Sequence, residues 1–242
     1  MATSPDELGG PNPERSRFAD YAEDATGFGA TEWRTFRDLL KRPRAVLDAY
    51  LERGPTGGGL YARPMGFYFA LCGVLMIYMF IAGGLEGVIQ RQPAEVLNGW
   101  IAASGKSRAE FIGDADGWMS LVSVPVLSFF YAIFSAPLLK WWGGLDWRRT
   151  FRSTFTLLNA WTVPVIFLGP LPMMERFALF ASIFMYGANI VAFLRLGRGL
   201  WWKGWPGGIL KGFLLLVVMM IGAGIGMFFV MQIGMMGALH GN

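Results

Sequence analysis

Apolar residues in this chain gather into long uncharged runs instead of alternating with polar ones. Five runs reach the length a bilayer crossing needs, about 20 residues with a tolerated range of roughly 17–25. They cover residues 65–85, 117–139, 153–174, 177–194 and 212–239. The fourth lies near the short limit. The fifth exceeds the need, so it must tilt or leave its ends at the interface. The pattern predicts an all-α membrane protein, a bundle of five transmembrane helices.

Ahead of the first run the pattern changes twice. Residues 1–29 mix Gly, Pro and acidic positions without apolar periodicity, which reads as a disordered cytoplasmic tail. No basic start leads into a short apolar stretch, so this is not a cleaved signal peptide. From Thr31, which reads as a helix cap, Trp33, Phe36, Leu39 and Leu40 recur at helical spacing with Arg34, Arg37 and Lys41 on the flanks. Pro43 interrupts, and a second amphipathic helix follows with Val46, Leu47, Tyr50 and Leu51 on one face. Residues 30–64 are thus expected to form amphipathic cytoplasmic or interfacial helices. They suit either an anionic membrane surface or the underside of the bundle.

Lys and Arg alternate between loops. Lys41, Arg42, Arg44, Arg53 and Arg63 precede the first run; Lys140, Arg148, Arg149 and Arg152 fall between the second and third; Arg195, Arg198, Lys203 and Lys211 lie between the fourth and fifth. The other loops are poorer, with Arg91, Lys106 and Arg108 in an acidic loop and Arg176 in a short one. The positive-inside rule places the N terminus in the cytoplasm and the C terminus outside. Two of the basic loops echo each other, LLKWWGGLDWRR at 138–149 and GRGLWWKGWPGG at 197–208. Their Trp141, Trp142, Trp147, Trp201, Trp202 and Trp205 read as one aromatic belt at headgroup level, with a partner-binding face as the sharper alternative.

Composition supports the membrane reading: 54% of the 242 residues are apolar and 16% charged, against about 25% charged in soluble domains. The single cysteine, Cys72, allows neither an internal disulfide nor a Cys-based metal site. In the extracytoplasmic loop 86–116, Pro93 starts a short helix with Val96, Leu97, Trp100 and Ile101 on one face. Glu110, Asp114 and Asp116 are too few oxygen donors for a calcium loop, and Asp116 can cap the second run instead.

Chemistry inside the runs is sparse. No charged residue or His occupies the middle of any, where proton relays and ion paths usually place one. Asn159, Asn189 and Gln232 are the strongest polar groups there; they can line a solute path, although bonding between helices is the commoner use. In the fifth run Gly222, Gly226, Gly234 and Ala238 repeat every four residues, interrupted by Val230, a stripe that permits close helix approach. Met227, Met231 and Met235 form a neighbouring stripe, which suits gap filling better than Cu(I). The only histidine, His240, sits near the C terminus, so the chain carries no HExxH pair and no Ser-His-Asp set, and it has no phosphate-binding GxxxxGK[ST] loop. The expectation is a protein without catalytic residues, metal or cofactor and without nucleic-acid binding. Its partners are the lipid bilayer and either a protein partner or a second copy.

The run TFRDLLKRPRAVLDAYLERG, followed by LYARP and the first span, resembles the segment that leads into the membrane in an uncharacterised bacterial family of multispanning proteins. Over residues 31–239 the five-span layout, cytoplasmic N terminus and short external C terminus resemble the Yip family, the Rab- or Ypt-interacting proteins. These resemblances imply a non-enzymatic membrane organiser or adaptor for a protein partner, held in the inner membrane of a bacterium. The Asp-Leu-Tyr-Gly-Pro-type motif of the eukaryotic members does not occur here, so Rab binding is not carried over. The alternative from the residues themselves is a small channel or transporter lined by Asn159, Asn189, Gln232 and glycines.

Overall fold

The computed structural model describes residues 29–81, 83–169, 171 and 175–241; the expected disordered tail lies, except for Gly29, outside them. Among the described residues the chain is helical and has no strand. The helices are α1 (Ala30–Lys41), α2 (Pro43–Arg53), α3 (Pro64–Ile81), α4 (Glu86–Gln90), α5 (Ala94–Ser104), α6 (Arg108–Gly143), α7 (Trp147–Ile166), α8 (Ala178–Gly197) and α9 (Trp205–His240). Four are long and apolar enough to cross a membrane: α3, α6, α8 from Leu179, and α9. The chain is therefore described as a multi-pass membrane protein.

Two of these outgrow the apolar runs that announce them. α6 and α9 each have 36 residues, about 54 Å at 1.5 Å per residue, against about 30 Å of hydrocarbon. α6 starts nine residues before its uncharged run because Ser107 and Glu110 form a reciprocal capping box at its N terminus. Asp116 consequently falls inside α6 and caps nothing. Its carboxylate accepts from the Leu85 amide at 2.5 Å, against Gly84 at φ +70°, where a Cβ would collide with it.

α6 and α9 run antiparallel and make the most extensive contact in the molecule. Gly222, Gly226, Val230, Gly234 and Ala238 are all buried along this seam. A Cβ at Gly222 would stand 3.2 Å from the Phe130 carbonyl oxygen, at Gly226 3.1 Å from Leu127, and at Gly234 3.1 Å from the Ala115 carbonyl oxygen. The two backbones approach this closely because four-residue spacing keeps the small positions on one face. Near the free end of the pair, Leu85, Ile89, Leu97, Phe111, Met119 and Met235 form a compact second core with α4 and α5.

The run at 153–174 behaves differently. The helix there is α7, which starts at Trp147 and ends at Ile166, and it is not among the four apolar spans. Twelve of its twenty residues are buried, including Thr150, Ser153, Thr154, Thr156, Asn159 and Thr162. A helix wrapped by protein need not be apolar on every side, and α7 is wrapped by α1, α2, α3, α6 and α8.

The N-terminal helices accordingly lie on the bundle. α2 buries Val46, Leu47 and Tyr50 against α7 and α8, and Phe36 of α1 meets Phe167 edge-on at 5.8 Å. Thr31 does not cap α1. The N-cap is Gly29, whose amide donates to Glu32 at 3.0 Å, and the helix buries Thr35, Asp38 and Leu39 while Trp33 is exposed.

The seam yields a test. Gly226→Leu should destabilise the protein by about 1–3 kcal/mol through overpacking, whereas Gly224→Leu, whose position has nothing within 4 Å, should leave stability near wild type or raise it. Melting temperatures in detergent distinguish the two, and equal melting of both variants would show that the seam is not tight.

Candidate functional site

The basic loops converge with α1 and α2 into a cap at one end of the bundle. Its centre is Asp38, a carboxylate almost wholly buried, with Arg42 at 2.9 Å, Arg37 at 3.1 Å and the Tyr61 hydroxyl donating at 3.1 Å. Burial by itself would raise the Asp38 carboxyl. The hydrogen bonds from Arg42, Arg37 and Tyr61 outweigh it and hold the group below its ordinary value. Around this centre the segment that leads into α3, residues 61–64, is pinned at three points. The Ala62 amide donates to Thr35 Oγ1 at 2.9 Å, Tyr50 donates to the Ala62 carbonyl at 2.5 Å, and Asn159 donates to the Pro64 carbonyl at 2.8 Å.

Several cations of the basic loops are spent inside the protein. Arg44 donates to the carbonyls of Leu196 and Arg198 at 2.9 Å, closing the C terminus of α8, while Arg195 of α8 donates to Lys41 at the end of α1 at 2.9 Å. Arg152 reaches the Tyr50 carbonyl at 3.3 Å, and Lys211 reaches that of Trp201 at 2.8 Å. At the opposite end Lys106 binds Asp114 at 2.7 Å together with the Ala238 and Gly241 carbonyls.

The six tryptophans do not form one belt. Trp141, Trp147 and Trp205 are exposed, whereas Trp201 and Trp202 are only 1% and 3% exposed. Glycines make the space: a Cβ at Gly197 would lie 2.7 Å from Trp201, and at Gly208 2.7 Å from Trp202. Trp201 stacks on Phe193 at 5.5 Å, and Phe193 also meets Trp142 edge-on at 5.8 Å, so the two sequence echoes pack against each other. This is the physical reason for setting Trp pairs beside glycine. The indole Nε1 groups of Trp201 and Trp202 have no partner among the described residues.

Asn159, Asn189 and Gln232 are not brought together on a path. Asn159 holds Pro64, Asn189 donates to the Met219 sulfur at 3.4 Å, and Gln232 is half-buried on α9. None lines the cavity of about 380 Å³ that opens among α3, α6 and α7, walled by Tyr68, Leu75, Met79, Leu127, Trp161 and Val165. Ser123 and Ser128, also on its wall, return their hydroxyls to carbonyls of α6. The cavity therefore presents hydrocarbon, a surface suited to an apolar chain and ill-suited to an ion. Among the described residues no three His, Cys, Asp or Glu side chains gather as a metal site.

No family model, curated protein or solved structure matches this chain.

Sequence reasoning missed the cap's centre. Asp38, set among Arg37, Lys41 and Arg42, was not singled out; the signal that marks it is its place on the same helical face as Thr35 and Leu39. Tyr61→Phe should loosen the cap by about 1.5–3 kcal/mol, the range for a hydrogen bond to a charged acceptor, read as faster amide exchange in α1. Because the folded-state value of Asp38 is lowered, its contribution is complete above the ordinary carboxylate value of about 4 and is lost as pH falls through the folded value. Exchange in α1 should hence be flat, apart from intrinsic chemistry, from neutral pH to about 5 and accelerate below about 4.

Proposed function

We propose that the chain is a non-enzymatic, Yip-like membrane organiser whose working surface is the cap, held in the inner membrane of a bacterium with the cap in the cytoplasm. The observation that carries this reading is the rigid docking of the cap: a buried carboxylate and three interhelical carbonyl ties fix α1 and α2 on the bundle. The outer face of α1 meanwhile keeps Trp33, Arg34, Arg37, Lys41 and Arg42 exposed. An exposed Trp set among cations is the composition of a docking face, and it fits a partner with an acidic surface. The five-crossing topology belongs to this proposal. α6 and α8 are each antiparallel to α9, which supports a return of the chain across the bundle between Gly143 and Leu179 by way of α7. A channel is less well supported, since the intramembrane polar groups are occupied by structural bonds.

A photo-crosslinker at position 34 should give one adduct of defined mass in native membranes. One at Val96, half exposed at the opposite end, should give none, and Arg34→Glu with Lys41→Glu should abolish the adduct formed from position 37. Purified protein in liposomes should pass no solute. Flux without an adduct would replace this reading by the transporter. A reporter fused after Asn242 should be active only outside the cytoplasm, and one fused after Trp147 only inside.

A further inference from the structure

Two adjoining cavities where α3, α6 and α7 meet at the basic end differ sharply in chemistry. The first, about 450 Å³, is walled by Arg63, Arg148 and Arg152 together with Met65, Phe151 and Trp147. No acid lines it. The side chains of Arg63 and Arg148 form no hydrogen bond or ion pair with any described residue, and Arg152 uses only one terminal nitrogen, on the Tyr50 carbonyl. Lys140 adds a further cation, 5.3 Å from the Trp147 ring centre. Asp146 is engaged chiefly by Arg149, through its amide at 2.8 Å and its side chain at 3.6 Å, and interacts with Arg152 only through space.

The second cavity, about 310 Å³, shares Trp147 and Phe151 with the first and continues along α6 over Phe129, Ala132, Ile133 and Ala136. These α6 residues belong to the uncharged run at 117–139, so this groove points into the hydrocarbon. Its walls are apolar except for Thr154, a wholly buried residue whose hydroxyl has no partner among the described residues.

We infer that these two cavities form one site for an anionic phospholipid, with the phosphate held by Arg63, Arg148 and Arg152 and an acyl chain laid in the α6–α7 groove. Guanidinium groups match phosphate oxygens in fork geometry, and three of them in one interfacial cavity with no acid among its described lining residues leave a charge that an anion completes. An acyl chain covers Phe129, Ile133 and Phe151, which are 58%, 51% and 48% exposed. The buried Thr154 hydroxyl, on the wall of the apolar groove, offers a donor to an ester oxygen of such a lipid. A free phosphate would satisfy the arginines and leave the groove empty; the phospholipid accounts for both. This site is independent of the adaptor reading, because it uses α3, α6 and α7 and none of the exposed face of α1.

The test uses full-length protein in detergent, titrated with phosphatidylglycerol, phosphatidylcholine or inorganic phosphate and read by native mass spectrometry and melting temperature. Phosphatidylglycerol should bind as one retained lipid per chain and raise the melting temperature; phosphatidylcholine should bind at least tenfold more weakly, and millimolar phosphate should neither stabilise nor compete. Arg63→Gln with Arg148→Gln should weaken phosphatidylglycerol about 25-fold, near fivefold per charge removed, while Arg108→Gln at the opposite end leaves it unchanged. Ala136→Phe, which fills the groove and keeps every charge, should weaken the lipid as well. Equal retention of the two lipids by the unaltered protein would overturn the site, as would stabilisation by phosphate alone equal to that by phosphatidylglycerol, or full binding by folded Ala136→Phe.

Discussion

Each helix ends with carbonyl groups that its own last turn leaves without donors, and next to hydrocarbon water is a poor substitute. The structure answers this with cations borrowed from other elements. Arg195 closes α1, Arg152 closes α2, Arg44 closes α8 and Lys106 closes α9. Lys106 reaches α9 from the turn between α5 and α6, while the other three donors each sit on a different helix from their acceptors, so that those bonds also fix one helix against another. The positions of α1, α2 and α8, and with them the cap, follow from this requirement, and positive charge at a helix C terminus adds favourable interaction with the macrodipole.

The same bonds divide the basic residues into two groups. Cations that satisfy carbonyls are structural, and others, Arg63 and Arg148 at one cavity and Arg34 on α1, are exposed and pair with no described residue. Counting Lys and Arg along the loops treats both groups alike. The count conveys which loops share a side, yet only the three-dimensional partners separate charge that builds the protein from charge offered to lipid or to another molecule.

Much of the architecture was legible in the sequence because hydropathy reports directly on lipid contact. The runs that became α3, α6, α8 and α9 were found within a few residues in their apolar parts, and the Pro43 break between α1 and α2 was placed where it occurs. What escaped was decided by protein contacts. The capping box at Ser107 and Glu110 extends α6 far beyond its uncharged stretch. α7 tolerates six buried Ser, Thr and Asn side chains because it is surrounded by helices instead of lipid. Trp201 and Trp202 sit in the core because Gly197, Gly143 and Gly208 leave flat recesses for their rings, and nothing in the local pattern distinguishes them from the exposed Trp141 and Trp147.

Arg44 reaches from α2 to the end of α8, and Arg195 reaches from α8 to the end of α1, so the N-terminal hairpin and α8 are laced in both directions. Mechanically, such crossed ties act as a triangulated brace: α1 cannot swing out without pulling on α8, and α8 cannot slide along its axis without dragging α1. Asn159 and Arg152 add two more struts through α7. Force applied to the N-terminal segment therefore passes into the lipid-facing helices as a rigid displacement, and the hairpin works as a handle on the bundle instead of a loose tether.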